Sequence, residues 1–174
     1  MTIAITYRRA TAQDALCLGV LATQIFLETY APQGIRPDLA REALAGYSTE
    51  VMATHLTDPK VRFVLAESDG HLVAFVELGF DRSCPVPNDA SVEIARLYVL
   101  RNFHRRGVGQ ALSAHAERIA LEHGHSALWL TAWSGNAPAL AFYPHLGYAN
   151  IGRTEYVIED QRYENQVFAK PAEI

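Results

Sequence analysis

The sequence predicts a single α+β domain over residues 1–174, built on a mixed sheet. Three observations support this fold class. The chain of 174 residues is long enough for one buried core and too short for two ordinary domains. Hydrophobic residues make up 49% and charged residues 20%, as in ordinary globular proteins. Strand-like and helix-like segments also alternate along the chain, without an internal repeat or a low-complexity linker.

The first half of the chain is predicted to hold one strand, three helices and a β-hairpin. Residues 3–9 alternate apolar and polar side chains, as a half-buried strand does. Thr11 and Asp14 resemble a helix-capping pair, so a helix is expected from there to about Tyr30. Asp38 is expected to cap the second helix. The remaining elements are two helices and two strands joined by a tight turn, over 38–45, 49–56, 61–67 and 71–80.

The second half is predicted to alternate strands and helices. After a loop with two prolines over 83–89, the apolar run 92–100 predicts the central strand. A helix is expected from Gly107 to about His123, because its apolar residues share one helical face and Gly124 can end it. The last elements are a strand, a helix and a strand pair, over 128–133, 136–146, 148–158 and 163–169.

Composition and charge exclude several classes of function. The net charge is −4 and the pI about 5.9, whereas dedicated nucleic-acid binders carry a basic surplus. Cys17 and Cys84 lie far apart in sequence and the seven histidines show no ligand spacing, so neither a disulfide framework nor a metal site is predicted. The chain shows no signal-peptide pattern and no apolar run of membrane-helix length. We therefore expect a cytoplasmic protein without membrane or nucleic-acid partners.

Residues 104–112, with the sequence HRRGVGQAL, give the clearest indication of function. Two arginines precede two closely spaced glycines at the start of a helix, just after the predicted central strand. Glycine lets a ligand approach the backbone, and the free N–H groups of a helix start favour negative charge, so this turn predicts a phosphate-binding site. A P-loop would need Lys and Ser or Thr after Gly109, and a dinucleotide fingerprint would need a small residue at Leu112, so neither pattern is complete.

This turn resembles the coenzyme A motif of the GNAT family of N-acetyltransferases, Gln/Arg-x-x-Gly-x-Gly/Ala. The glycines of the motif correspond to Gly107 and Gly109, and Arg105 and Arg106 take its variable positions. His104 departs from the motif, because the family usually has Gln or Arg there. The imidazole ring can still donate a hydrogen bond to a phosphate oxygen.

Further stretches extend the resemblance over residues 92–148, in the order and with the gaps typical of the family. Residues 93–99 and 128–133 resemble its fourth and fifth strands. The resemblance implies the family's fold, a twisted, mixed and mostly antiparallel sheet flanked by helices, in which these two strands splay apart. Residues 136–148, NAPALAFYPHLGY, match its signature with Asn, Ala, Phe-Tyr and Gly-Tyr at the same spacing. The C-terminal half is most similar to the subgroup that includes bacterial small-molecule and polyamine acetyltransferases, whereas the first eighty residues match the family only in general plan.

The resemblance implies transfer of an acetyl group from acetyl-CoA to a primary amine by direct attack. The pyrophosphate would lie on the N–H groups of residues 105–110. The pantetheine would pair with backbone groups of residues 97–99, whose N–H groups are also the expected oxyanion donors. The cofactor-binding residues that the resemblance implies are Leu97, Tyr98, Val99, His104, Arg105, Arg106, Gly107, Val108, Gly109, Gln110, Asn136 and Tyr143.

Two residues are candidates for proton transfer. Tyr143 is the candidate general acid for the leaving thiolate, since a tyrosine with an ordinary pKa of about 10 is protonated at neutral pH. Phe142 precedes it, and adjacent residues cannot share one helix face, which favours Tyr143 facing the site. Glu93, in an otherwise apolar strand, is the candidate base, acting directly or through a water, or alternatively an ion-pair partner of Arg96. Asn136 is expected to cap its helix or to hold an amide of the cofactor.

The acceptor is expected to be a small-molecule or peptide amine, bound by the first two helices and the loop 83–89. Glu28 and Glu77 are weaker candidates for contacting a cationic acceptor, or else solvated or ion-paired carboxylates, and Trp133 is a candidate for lining the acceptor pocket. A homodimer is compatible with the resemblance. The alternative functions are a non-catalytic acyl-CoA sensor and a nucleotide-dependent enzyme that uses the same turn.

Overall fold

The computed structural model describes residues 4–172, and the predicted start of the first strand at residue 3 lies outside that range. The strands are β1 (Ile5–Arg9), β2 (Val61–Ser68), β3 (His71–Phe80), β4 (Val92–Val99), β5 (Ala127–Trp133), β6 (Ala149–Ile158) and β7 (Gln161–Pro171). The helices are α1 (Ala15–Tyr30), α2 (Pro37–Gly46), α3 (Thr49–Thr57), α4 (Val108–Glu122) and α5 (Ala137–His145). Two 3-10 turns lie at Ala12–Asp14 and Arg101–Phe103.

Within residues 4–172, seven strands form one mixed sheet in the order β1-β2-β3-β4-β5-β7-β6. The pairs β1–β2, β5–β7 and β6–β7 are antiparallel, and β4–β5 is parallel. Among the described residues, β4 and β5 are in register at two pairs alone, Val92 with Leu128 and Glu93 with Trp129. These two strands have 8 and 7 residues, so most of their length is unpaired with one another. The predicted α+β fold with a mixed sheet is confirmed.

The predicted helices and strands are present, with ends shifted by one or two residues. The second helix begins differently from the prediction, because Pro37 is its first residue and the cap position falls on Arg36. Proline suits a first helical position, since the N–H that it lacks would have no partner in the helix. Asp38 lies in the first turn and accepts hydrogen bonds from the Arg36 guanidinium at 2.9 and 3.1 Å, so its predicted role as the cap is wrong.

The described chain divides into two compact units, and the first contains the residues up to Glu77 together with Arg96–Ser113. In α1 the buried apolar residues recur at intervals of three and four and therefore share one face of the helix. These residues are Leu18, Leu21, Ala22, Ile25 and Phe26. Phe26 is 1% exposed, and its ring centroid lies 5.2 Å from that of Tyr47. Part of the core of this unit therefore forms between α1 and the segment that follows α2.

The second unit contains Leu78–Ala95 and the chain from Ala114 onward. One face of its sheet packs against helices, because the Phe168 ring lies 5.8 Å from that of Tyr143 on α5. Lys170, on the same face of β7, donates to the carboxylate of Glu117 on α4 at 3.0 Å. On the opposite face, the indole of Trp129 donates to the carbonyl of Arg82 at 3.1 Å, which anchors the loop after β3. Helices therefore cover one face of this unit's sheet and the loop covers part of the other.

Candidate active site

The site residues predicted from the sequence divide between the two units. Residues 97–99 and the turn 104–110 belong to the first unit, where the end of β4 leads into α4. Glu93, Asn136 and Tyr143 belong to the second unit. The phosphate-binding turn and the predicted proton-transfer residues are therefore built by different parts of the chain.

The turn before α4 has the backbone of an anion-binding loop. Arg105 and Gly107 have left-handed φ angles of +57° and +78°, and α4 begins at Val108. Left-handed residues next to right-handed ones direct successive N–H groups into one concavity, and the first N–H groups of a helix have no partner within it. A Cβ at Gly107 would meet no atom within 4 Å, so the φ angle rather than crowding favours glycine here.

The arginines of this turn keep their charge available for a ligand. Arg105 and Arg106 are both exposed. The Arg106 guanidinium lies over the ring of Phe103, with 5.3 Å between its Cζ and the ring centroid. Neither arginine forms an ion pair with any of residues 4–172. Two uncompensated positive charges therefore stand beside the unsatisfied N–H groups of the helix start.

His104 ties the turn to the end of β4. Its Nε2 donates a hydrogen bond to the carbonyl oxygen of Val99 at 2.8 Å, since a carbonyl can only accept. The expectation that His104 donates to a phosphate oxygen stays a prediction.

A buried ion-pair network joins β3, β4 and α3 in the first unit. Glu77 is 3% exposed, and its Oε1 accepts a hydrogen bond from Nδ1 of His55 at 2.8 Å. Its Oε2 accepts from the guanidinium of Arg96. Arg96 also lies over the ring of Tyr47, 5.2 Å from the centroid, and the Tyr47 hydroxyl lies 3.5 Å from that of Tyr98. Of the roles predicted for Glu77, the structure shows the ion-paired carboxylate.

The charges of this network favour one another. Burial by itself raises the pKa of Glu77, but the His55 hydrogen bond and the Arg96 charge outweigh it and hold the pKa below its usual value. Burial lowers the pKa of Arg96, and Glu77 reverses this, so that the pKa lies above its ordinary value. Arg96, the alternative ion-pair partner for Glu93, is therefore engaged by Glu77.

Tyr143 lies on the buried side of α5. It is 8% exposed while Phe142 is half-buried, as adjacent helical positions require. Its ring centroid lies 5.7 Å from that of Tyr148 and 5.8 Å from that of Phe168. Burial, with a contribution from Tyr148, raises the pKa of Tyr143 above its ordinary value. No residue within 4–172 hydrogen-bonds the Tyr143 hydroxyl, so a protonated O–H is available as a donor.

Asn136 caps α5, as predicted. Its Oδ1 accepts a hydrogen bond from the N–H of Ala139 at 3.2 Å, which satisfies one of the free donors of the helix start. Its predicted contact with an amide of the cofactor stays a prediction. Glu93 is half-buried on β4, opposite Trp129 of β5, and its role as the base also stays a prediction.

Trp133, the candidate for lining an acceptor pocket, is fixed at the end of β5. Its ring meets that of Tyr163 edge-on, with 5.9 Å between centroids and 78° between planes. Gly135 leaves room for the indole, since a Cβ there would lie 2.4 Å from the ring. Glu28, the candidate on α1, is exposed and accepts a hydrogen bond from Gln24 at 3.1 Å.

The loop between β3 and β4, predicted to contribute to acceptor binding, borders a cavity of about 380 Å³. Its carbonyl at Arg82 is held by Trp129, and Val86 packs so close to Gly152 that a Cβ there would lie 2.7 Å from it. The loop is therefore anchored on the sheet of the second unit. The residues that line the cavity are Asp81, Arg82, Ser83, Cys84, Pro87, Asn88, Asp89, Ala90 and Ser91.

Sequence reasoning missed His55 and Tyr47 as partners of the β3–β4 network. Glu77 is the single carboxylate in the apolar run 71–80, and such a residue indicates a buried ion pair. That signal does not identify its partners, because His55 lies 22 positions away in a helix.

The described residues show neither a metal-binding cluster nor a membrane-spanning helix. No group of three or more His, Cys, Asp or Glu within the described chain is arranged to hold a metal ion. None of the described helices combines the length and apolar character that crossing a membrane requires. Cys17 and Cys84 are free thiols, the first exposed and the second half-buried.

Known proteins share sequence and fold with this chain. Residues 25–148 match the family model described as the Acetyltransferase (GNAT) family. An uncharacterised N-acetyltransferase of Mycobacterium bovis is 30% identical over 142 residues, which cover 78% of this chain and 83% of the relative. Among solved structures, PaiA N-acetyltransferase of Thermoplasma acidophilum in complex with coenzyme A has a TM-score of 0.74 at 20% identity, covering 97% of this chain and 99% of that one. NAA60 of Arabidopsis thaliana in complex with acetyl-CoA has a TM-score of 0.74 at 18% identity, covering 97% and 98%.

The family match includes the four stretches on which the resemblance rests. It spans β4, the glycine turn before α4, β5, and α5 with its capping asparagine. Over the same stretch, the structure has β4 next to β5 in the sheet, with a short parallel pairing between them. The chain belongs to the GNAT family of acetyltransferases.

Proposed function

We propose that the protein transfers the acetyl group of acetyl-CoA to a primary amine of a small molecule or peptide. The observation that carries this proposal is the turn before α4. Its left-handed residues Arg105 and Gly107, its exposed guanidinium groups and the first N–H groups of α4 supply donors and positive charge for a pyrophosphate. The fold neighbours that hold coenzyme A or acetyl-CoA support the same donor.

The proposed reaction is a direct attack of the amine on the thioester. The amine nitrogen bonds to the carbonyl carbon, the carbon–sulfur bond breaks, and coenzyme A leaves as a thiolate. Glu93 takes the proton that the amine gives up, directly or through a water. Backbone N–H groups of residues 97–99 stabilise the oxyanion, and the O–H of Tyr143 protonates the thiolate.

Tyr143 suits the role of the acid for two reasons. Burial keeps its pKa above the ordinary value, so its hydroxyl carries a proton throughout the neutral range. Its hydroxyl also has no hydrogen-bond partner within residues 4–172, so its proton is not committed to another group. The ring is held by Tyr148 and Phe168, which limits the positions that the hydroxyl can take.

The test is an assay of coenzyme A release from acetyl-CoA with four amines, namely spermidine, L-lysine, kanamycin and a peptide with a free N-terminal alanine. We expect thiol release that depends on at least one amine, with the acetylated amine detected by mass spectrometry. Thermal stabilisation by coenzyme A without turnover of any of the four would overturn the proposal and favour the sensor. An acetylated protein formed in the absence of amine would contradict direct attack.

Replacing Gly107 with Val is expected to raise the Kd of coenzyme A at least about tenfold in calorimetric titration. A β-branched residue at a φ of +78° is strained, so the turn must rearrange and its N–H groups lose their common direction. Gly70→Val is the matched control, because Gly70 has a φ of +77° and open space around it, in the turn between β2 and β3. An unchanged Kd of coenzyme A in Gly107→Val would contradict the phosphate-turn assignment. So would an equal rise of that Kd in Gly107→Val and Gly70→Val.

A further inference from the structure

A buried amide on β7 has an oxygen without a hydrogen bond. Asn165 is 6% exposed, and its Oδ1 is the one fully buried side-chain polar atom within residues 4–172 that lacks a partner. Its Nδ2 donates to Oγ1 of Thr131 on β5 at 3.4 Å, which is a long bond. A buried acceptor without a hydrogen bond is destabilising, so a ligand group that donates to this oxygen supplies the missing hydrogen bond.

Aromatic and hydroxyl side chains lie on the same face of the sheet as Asn165. Residues directly opposite one another in antiparallel strands share a face of the sheet, and Asn165 lies opposite Trp133 on β5 and Thr154 on β6. Tyr163, two positions earlier on β7, lies on the same face and meets the Trp133 ring edge-on. The four neighbours Thr131, Trp133, Thr154 and Tyr163 are half-buried, so this face offers a ligand partly exposed rings and hydroxyls beside Asn165.

We propose that Asn165 recognises the amine acceptor, with Oδ1 accepting a hydrogen bond from a nitrogen of that amine. This inference rests on the proposed function and names the residue that selects its acceptor. An amide oxygen only accepts hydrogen bonds. It therefore binds a ligand group that carries N–H and cannot hydrogen-bond to a ligand carboxylate. The faces of Trp133 and Tyr163 favour the ammonium form of the same group through cation–π attraction.

The adjacent residue Gln166 provides a matched control on the same strand. Neighbouring residues of a strand point to opposite faces, so Gln166 lies away from the oxygen of Asn165. Its amide is fully engaged, because it accepts from Asn150 at 2.9 Å and donates to Ser134 at 2.9 Å. Removing this amide changes a hydrogen-bonded surface without removing an unsatisfied acceptor.

The experiment compares Asn165→Leu, Asn165→Asp and Gln166→Leu. It uses whichever of the four test amines the wild-type protein acetylates. We expect Asn165→Leu to lower kcat/KM for the amine at least about tenfold, mainly through KM, while the KM of acetyl-CoA changes less than about twofold. Asn165→Asp keeps an acceptor oxygen and should stay within about threefold of wild type. Gln166→Leu should leave the KM of the amine unchanged.

Three results would overturn the assignment. The first is a wild-type KM for the amine in Asn165→Leu. The second is an equal rise in the KM of the amine and of acetyl-CoA in that variant. The third is a fall in kcat/KM for the amine in Gln166→Leu as large as that in Asn165→Leu. If Asn165→Leu does not fold, Asn165→Asp decides, because a tenfold or greater fall in kcat/KM for the amine contradicts recognition by an oxygen acceptor. Absence of wild-type turnover with all four amines refutes the proposed function itself, and this assignment with it.

Discussion

Replacing Tyr143 with Phe is expected to lower kcat about 100-fold, while the Kd of coenzyme A changes less than about twofold. The hydroxyl is the proposed proton donor to the thiolate, and burial keeps it protonated at neutral pH. Phenylalanine retains the ring that packs on Tyr148 and Phe168, so the substitution removes little besides the proton donor. Steady-state kinetics with an amine that the protein acetylates, together with calorimetric titration of coenzyme A, separate the two quantities.

Tyr148→Phe is the matched control for this substitution. Tyr148 is 2% exposed and its ring lies 5.7 Å from that of Tyr143, so the control removes a hydroxyl from the same aromatic cluster. We expect its kcat to stay within about threefold of wild type, since it is not proposed to touch the reacting atoms. If both substitutions lower kcat equally, the loss arises from packing of the cluster and Tyr143 is not the acid.

Replacing Glu77 with Gln is expected to lower the free energy of unfolding by about 3 kcal/mol at neutral pH. The change leaves the guanidinium of Arg96 without its anionic partner, although the Glu77 side chain is only 4% exposed and that of Arg96 only 20% exposed. Denaturant unfolding followed by circular dichroism measures the difference. Glu155→Gln is the control, because Glu155 pairs with Arg162 at the surface, where their side chains are 54% and 69% exposed, and it should cost less than about 1 kcal/mol.

The difference in the free energy of unfolding between wild type and Glu77→Gln is expected to depend on pH. The pKa of Glu77 is lower in the folded protein than in the unfolded chain, so the ion pair stabilises the fold above the unfolded pKa of about 4.3. That stabilisation is lost as the pH falls through the folded pKa, so the difference between wild type and variant should shrink in acid. A deficit that is constant from neutral pH to below pH ~3, or one no larger than that of Glu155→Gln, would contradict a charged pair at this position.

The order of strands and helices is predictable from the sequence because each element carries its own local signal. The alternation in β1 and the apolar runs of β3 and β4 are read from neighbouring residues alone. The start of α2 is harder to place, because Pro37 and Asp38 both suit the beginning of a helix and only the path of the chain decides between them. The glycine turn before α4 is predictable from local residues, because a left-handed φ such as that of Gly107 favours glycine.

The rest of the candidate site depends on contacts between distant segments. His55, Glu77 and Arg96 come from three elements, and no spacing rule connects them. Asn165 lies between Glu164 and Gln166, so its sequence context is that of an exposed polar strand rather than a buried amide. Its burial follows from the register of β7 with β5 and β6, which the sequence pattern does not determine.

The hydrogen bond from His104 to Val99 has an entropic consequence for the donor site. A free glycine-containing loop loses roughly 1–2 kcal/mol of backbone entropy per residue when a ligand orders it. Here the tether and the left-handed residues Arg105 and Gly107 restrict the loop as the protein folds, before any ligand arrives. Less of the interaction energy with a pyrophosphate is then offset by ordering. Histidine at this position thus restricts the loop in addition to its predicted contact with a phosphate oxygen.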